Sequence, residues 1–148
     1  MSISVELQQR LQDLVEEKEL SRTKIAQQIG VDYRSFSNAL NYGILPKPQV
    51  LVKMADYFNI SISYLLGNTD NDIFIKSKSP SDFHTRLESL RKSNNISYYK
   101  IAKDCHFDKS CISKWRSLKH IPNLETLELI ADYFDVSLDY LLGRTDER

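Results

Sequence analysis

SRTKIAQQIGVDYRSFSNAL occupies residues 21–40, and SYYKIAKDCHFDKSCISKWR, residues 97–116, is its degenerate copy at an offset of 76. Both begin with serine, continue through K-I-A and place an aspartate, Asp32 or Asp108, between two short apolar-patterned runs. The same offset, without a gap, lays Arg10 to Asp70 on Arg86 to Asp146 with 22 identities among 61 pairs. A fixed internal period of this kind marks one structural unit written twice. Outside the quoted stretch the agreement gathers at a lone proline (Pro46, Pro122), at ADYF (55–58, 131–134) and at YLLGxTD (64–70, 140–146).

Within the stretch, Ser21 and Ser97 stand where a hydroxyl caps a short helix running through Ile25 and Ile29, or Ile101 and Cys105. A break follows at Gly30 to Asp32 and His106 to Asp108. Glycine takes positive φ freely, and histidine is among the residues that tolerate it. Asp32 and Asp108 then cap a third helix. Its apolar back holds Phe36 and Ala39, or Ile112 and Trp115, and its front is polar. Upstream, Leu7, Leu11 and Leu14, like Phe83, Leu87 and Leu90, recur at i, i+4 and i+7, which predicts an opening amphipathic helix in each copy. Downstream, Pro48 suits a first helical position and Asn123 a cap for a fourth helix ending in ADYF. Ser61 and Ser137 start a fifth helix that stops at Gly67 and Gly143. The expected architecture is all-α: two five-helix domains, residues 1–70 and 81–148, joined by a linker over 71–80. Each is near the smallest size at which one apolar core suffices.

Composition narrows the function. With 41% hydrophobic and 27% charged residues and no apolar run near the roughly 18 residues of a span, the chain reads as soluble, cytoplasmic and without a membrane partner. Its start has no signal-peptide pattern, and two cysteines in one copy are no disulfide framework. Net charge is zero, an average that conceals an asymmetry. Residues 1–72 carry 7 basic and 9 acidic side chains, and residues 73–148 carry 13 and 11. Between Ser97 and His120 six cations (Lys100, Lys103, Lys109, Lys114, Arg116, Lys119) face only Asp104 and Asp108. Such a concentration suits a polyanion.

A short helix, a tight turn and a second helix with a polar front form a helix-turn-helix, whose second helix fits the major groove. On SxxKIA, the GV turn, the inward residues of helix 3, the proline beyond and AxxFxxSxxYLLG, both copies resemble the Cro and phage-repressor (lambda-repressor-like, xenobiotic-response-element) helix-turn-helix family. The resemblance implies double-stranded DNA as partner and a repressor-like transcriptional regulator. It implies base reading by Tyr33, Arg34, Ser37 and Asn38 in the first copy and by Lys109, Ser110, Ser113 and Lys114 in the second. Phosphate contacts would come from Arg22, Lys24, Tyr98, Lys100, Arg116 and Lys119. The chemistry is consistent, since Lys can donate to guanine, Asn can pair with adenine and Ser can serve either. Two positions depart from the family pattern: the glutamate common near the end of helix 3 is Leu40 or Arg116, and the glycine two residues on is Tyr42 or Leu118.

Other readings are weaker. Cys105, His106, Cys111 and His120 lack zinc-ligand spacing. The four glycines, all explained as turns or helix stops, make no phosphate-cradling loop, and no nucleophile and base stand together. No enzyme, cofactor or metal is expected. The patch Ile73 to Ile75 in the linker reads either as docking on a domain or as a surface that recruits a second chain. The acidic first copy, with Tyr33 and Tyr42, fits a second function class: a protein-interaction module such as a homodimerisation unit, antirepressor or antitoxin-like partner. In the DNA reading, ten linker residues span at most roughly 33 Å, close to the roughly 34 Å between grooves one turn apart. One chain is then expected to cover two unlike half-sites.

Overall fold

The computed structural model describes residues 2–118 and 120–148, and its described residues form ten α-helices without a regular sheet. The chain divides into two compact units, Met1–Phe74 and Ile75–Arg148. Unit 1 holds α1 (Val5–Glu17), α2 (Arg22–Ile29), α3 (Tyr33–Tyr42), α4 (Pro48–Phe58) and α5 (Ile62–Leu65). Unit 2 holds α6 (Phe83–Ser93), α7 (Tyr98–Asp104), α8 (Lys109–Leu118), α9 (Leu124–Phe134) and α10 (Leu138–Leu141). No helix among the described residues is long and apolar enough to cross a membrane.

Side-chain caps set where these helices begin. The hydroxyls of Ser21 and Ser97 accept from the Lys24 and Lys100 amides at 3.2 and 3.1 Å. Ser61 and Ser137 do the same for α5 and α10. Pro48 takes the first turn of α4, whereas Asn123 caps α9 through its side chain. Backbone turns repeat as well: Gly30 and His106 have φ of 83° and 62°, and Asn59 and Asp135 both have 54°. A Cβ built at Gly30 meets nothing within 4 Å, so that site asks only for positive φ and a histidine can occupy its counterpart.

Apolar stripes from all the longer helices meet in each unit. Ile25, Phe36, Leu51 and Leu65 are buried in unit 1, and Ile101, Ile112, Leu127 and Leu141 in unit 2, at about 1.5–3 kcal/mol per side chain. One expectation shifts. The inward stripe of α1 is Leu7, Leu11 and Val15, with Leu14 only half-buried, while α6 keeps Phe83, Leu87 and Leu90. The counterpart of Val15 is Arg91, a residue rarely taken fully into a core, so α6 completes its stripe of three with Leu90, the counterpart of Leu14.

Each unit is closed by a clip between its first and last helices. Arg10 donates to the Thr69 carbonyl at 3.1 Å and to Asp70 at 2.8 Å, with its guanidinium 4.0 Å from the Tyr64 ring centre. Arg86 repeats this with Thr145, Asp146 and Tyr140 at 3.0, 3.2 and 4.1 Å. At the start of unit 1 the Ser4 amide donates to Gly43 O, the Leu45 amide donates to Ser2 O, and Ile3 and Ile44 form an isolated antiparallel bridge.

The segment expected to be a linker is partly absorbed into unit 2. Amides of Ser77 and Ser81 donate to the carbonyls of Arg144 and Gly143 at 2.9 and 3.1 Å. The Thr145 hydroxyl donates to Ile75 O at 2.8 Å, and that of buried Ser77 to Asp146 at 2.7 Å. Backbone and hydroxyl groups carry this docking, while Ile73 and Ile75 of the apolar patch remain 74% and 58% exposed. Beside this strap Asp139 and Arg144 form an ion pair, both nearly fully buried, where unit 1 has Ser63 and Asn68.

Candidate nucleic-acid interface

In unit 2, α7 ends at Cys105 and the chain reverses through His106 and Phe107 into α8. Phe107 reaches back to Trp115 with ring centres 5.2 Å apart, and Trp115 meets Phe83 at 5.9 Å. These ring contacts, one tilted and one edge-on, fasten the apolar back of α8, where Ile112 and Trp115 are buried. Asp108 accepts from the Ser110 amide at 3.0 Å at the head of the helix, a bond that holds its carboxyl below the usual carboxylate range. With its back fixed, α8 turns Lys109, Ser110, Ser113 and Lys114 outward, all four exposed. Positions i, i+1, i+4 and i+5 make one helical face, so the structure brings the four predicted base readers together.

Around that face the predicted phosphate contacts differ in how committed they are. Lys100 is exposed but lies 3.1 Å from Asp104. Asp104 also accepts from the Tyr133 hydroxyl at 2.6 Å, which ties α7 to α9. The tyrosine first, then Lys100, lowers the carboxyl, and the carboxylate in turn pushes the phenol up to about 12. Arg116 is exposed at the edge of the face, and its guanidinium lies 4.8 Å from the Tyr98 ring centre. Tyr98 is half-buried and donates its hydroxyl to Glu88. Its phenol titrates higher than usual because of burial and that bond. Lys119 lies outside the described residues.

Unit 1 presents a different surface from equivalent positions. Tyr33, Arg34, Arg22 and Lys24 are exposed, whereas Ser37 and Asn38 are half-buried. Arg22 donates to the Asn41 side-chain oxygen at 2.8 Å, and the Asn41 amide donates to Ser37 at 3.1 Å. A predicted phosphate contact and a predicted base reader are thereby linked to each other through a third residue. The alternation of helix and turn gives no sign of this, because Asn41 lies one step beyond the reading positions.

Two features of unit 2 also escaped the sequence pattern. Tyr99 is 59% exposed with Lys109 Nζ 5.9 Å from its ring centre, so an aromatic stands beside the predicted reading face. Glu88 and Arg91 of α6 engage Tyr98, although nothing in their spacing marks them as other than a solvated helix face. Among the described residues no group of three or more His, Cys, Asp or Glu side chains could hold a metal ion. Cys105 is buried, and that burial pushes its thiol up.

Residues 87–141 match the Helix-turn-helix family model. The chain is 36% identical over 62 residues to the HTH-type transcriptional activator BcrR of Enterococcus faecalis, covering 42% of this chain and 30% of that protein. It is 34% identical over 62 residues to the uncharacterized HTH-type transcriptional regulator YobD of Bacillus subtilis, covering 42% of this chain and 55% of that one. With the HTH-type transcriptional regulator AnsR of Bacillus subtilis it shares 38% identity over 63 residues, 43% of this chain and 54% of that one. The matched stretch therefore spans about a third to about a half of these curated relatives. No solved structure is significantly similar to the chain.

Proposed function

We propose that the chain is a sequence-specific, double-stranded-DNA-binding transcription regulator, repressor-like and cytoplasmic, whose α8 enters the major groove. The observation that carries the reading is the single exposed face of Lys109, Ser110, Ser113 and Lys114 on the second helix of the matched helix-turn-helix. In it, Lys109 and Lys114 donate to guanine edges and the serines to either base, while Lys100, Arg116 and Lys119 neutralise phosphates. The related regulators support the class, and the activator among them makes the sign of regulation a question for a reporter gene. The role proposed is binding, not catalysis.

Unit 1 is read as a second helix-turn-helix domain of the same Cro-like type, with Tyr33, Arg34, Ser37 and Asn38 forward and Arg22 and Lys24 at its flank. A second function is favoured there by the Arg22–Asn41–Ser37 chain and by the acidic balance of residues 1–72: a protein-interaction module, for homodimerisation or another protein partner. Selection of bound sequences from a random duplex library by the intact chain tests both readings. Two unlike half-motifs support reading by both units, and one motif lost in Lys114→Ala assigns reading to unit 2 alone. No enrichment overturns the DNA reading. With on the order of five phosphates neutralised, the log-log salt slope is expected at about −4 to −5.

A further inference from the structure

We propose that Tyr98 is not itself a phosphate contact but, with Glu88 and Arg91, a positioning residue that presents Arg116 to the DNA backbone. The proposal rests on reading unit 2 as the DNA-binding unit. A phenol has one donor hydrogen, and that of Tyr98 goes to Glu88. Glu88 is held in turn by Arg91, at 2.8 Å to one carboxylate oxygen and 3.4 Å to the other, with Lys92 at 3.5 Å. Arg91 also donates to the Ile96 carbonyl at 3.3 Å, which fixes the entry to α7. The guanidiniums of Arg91 and Arg116 lie 4.9 and 4.8 Å from the Tyr98 ring centre, so one ring joins α6, α7 and α8. A guanidinium over a ring uses its planar face. Its N–H donors project at the edge and stay available to a phosphate oxygen, and Arg116 is exposed.

Unit 1 provides the contrast. Gln12, Val15, Arg22 and Leu40 occupy the places of Glu88, Arg91, Tyr98 and Arg116. There the Gln12 amide donates to Leu40 O at 2.8 Å, and Leu40 is buried. In its last turn α3 of unit 1 turns an apolar side chain, Leu40, inward, and in unit 2 the matching turn of α8 holds a cation, Arg116, outward. The four positions differ between the units, and in unit 2 all four side chains meet at the Tyr98 ring or its hydroxyl.

The test combines a salt titration with a spectrum of the free protein. Binding of the intact chain and its variants to the duplex pool enriched by the selection is measured against salt. Arg116→Ala is expected to make the log-log slope shallower by about 1, and Tyr98→Leu to do the same. The Tyr98→Leu/Arg116→Ala double variant is expected to lose no more than either alone, while Tyr98→Phe, which keeps the ring, retains the wild-type slope. Additive losses, or a Tyr98→Phe variant as impaired as Tyr98→Leu, would overturn the proposal. Without DNA, the Nε–H resonances of Arg91 and Arg116 are expected to be shifted by the Tyr98 ring current in wild type and in Tyr98→Phe. Resonances at ordinary positions in wild type overturn the cluster whether or not DNA binds. A wild-type chain that shows the shifts yet binds no duplex overturns the DNA reading, and with it the role given to Arg116.

Discussion

Glu88 is the side chain whose charge has most to lose. The Arg91 bond first, and the Tyr98 hydroxyl next, bring its carboxyl from 4.5 to about 2. A carboxyl that binds its proton less readily when folded stabilises the fold above its unfolded value, and that contribution fades as pH falls toward the folded one. Unfolding of unit 2 is therefore expected to become easier between about pH 5 and pH 2 in wild type, with a flatter profile in Glu88→Gln; coincident melting curves across that window would refute this. A second prediction concerns the buried Asp139–Arg144 pair. Arg144→Met removes the ion-pair partner of a carboxylate that stays enclosed, and urea denaturation should register a loss of about 3–5 kcal/mol. Residue by residue, what was legible were groups acting on their own backbone, such as Ser97, Asp108 and His106. Tyr98 and Arg86 act across helices, and a spacing rule cannot see a partner brought in by the fold.

At the scale of elements, helix starts were well marked because most carry a side-chain acceptor three residues before the amide it serves, while α4 starts on Pro48 instead. Ser97→Ala should accordingly cost about 1 kcal/mol in thermal unfolding, with the effect confined to unit 2. Two helix ends in unit 1 separate two reasons for glycine. Gly30 has open space around its missing Cβ, so Gly30→Ala is expected to cost only the left-handed penalty of about 1–2 kcal/mol. At Gly43 the same substitution also sets a methyl 2.6 Å from the Ser4 carbonyl oxygen, so Gly43→Ala should cost distinctly more and free residues 2–4 to exchange their amides. Equal losses at the two sites would mean that this N-terminal segment yields without resistance. The pairing of residues 2–4 with 43–45 was not legible, since three residues carry too little pattern to register as a strand.

For the whole molecule, the repeat announced itself in sequence but the strap did not. NDIFIKSKSPS has the composition of a connector, and of the four bonds that commit it two are backbone to backbone and two use the hydroxyls of Thr145 and Ser77, none of which a polar connector composition announces. A fragment beginning at Ile75 is expected to be more stable than one beginning at Asp82 by about 2–6 kcal/mol, from roughly four hydrogen bonds at about 0.5–1.5 kcal/mol each. Equal urea midpoints would make the strap a passenger. Sequence divides the chain at 70 and 81, whereas the compact units divide between Phe74 and Ile75. Serine, lysine and proline at 76–81 look like easy prey for a protease, yet hydrogen bonds along the strap withhold it from the extended form an active-site cleft requires. Digestion at low enzyme should consequently spare those lysines and nick only the few residues just before Ile75, releasing two pieces that each keep all their own helices.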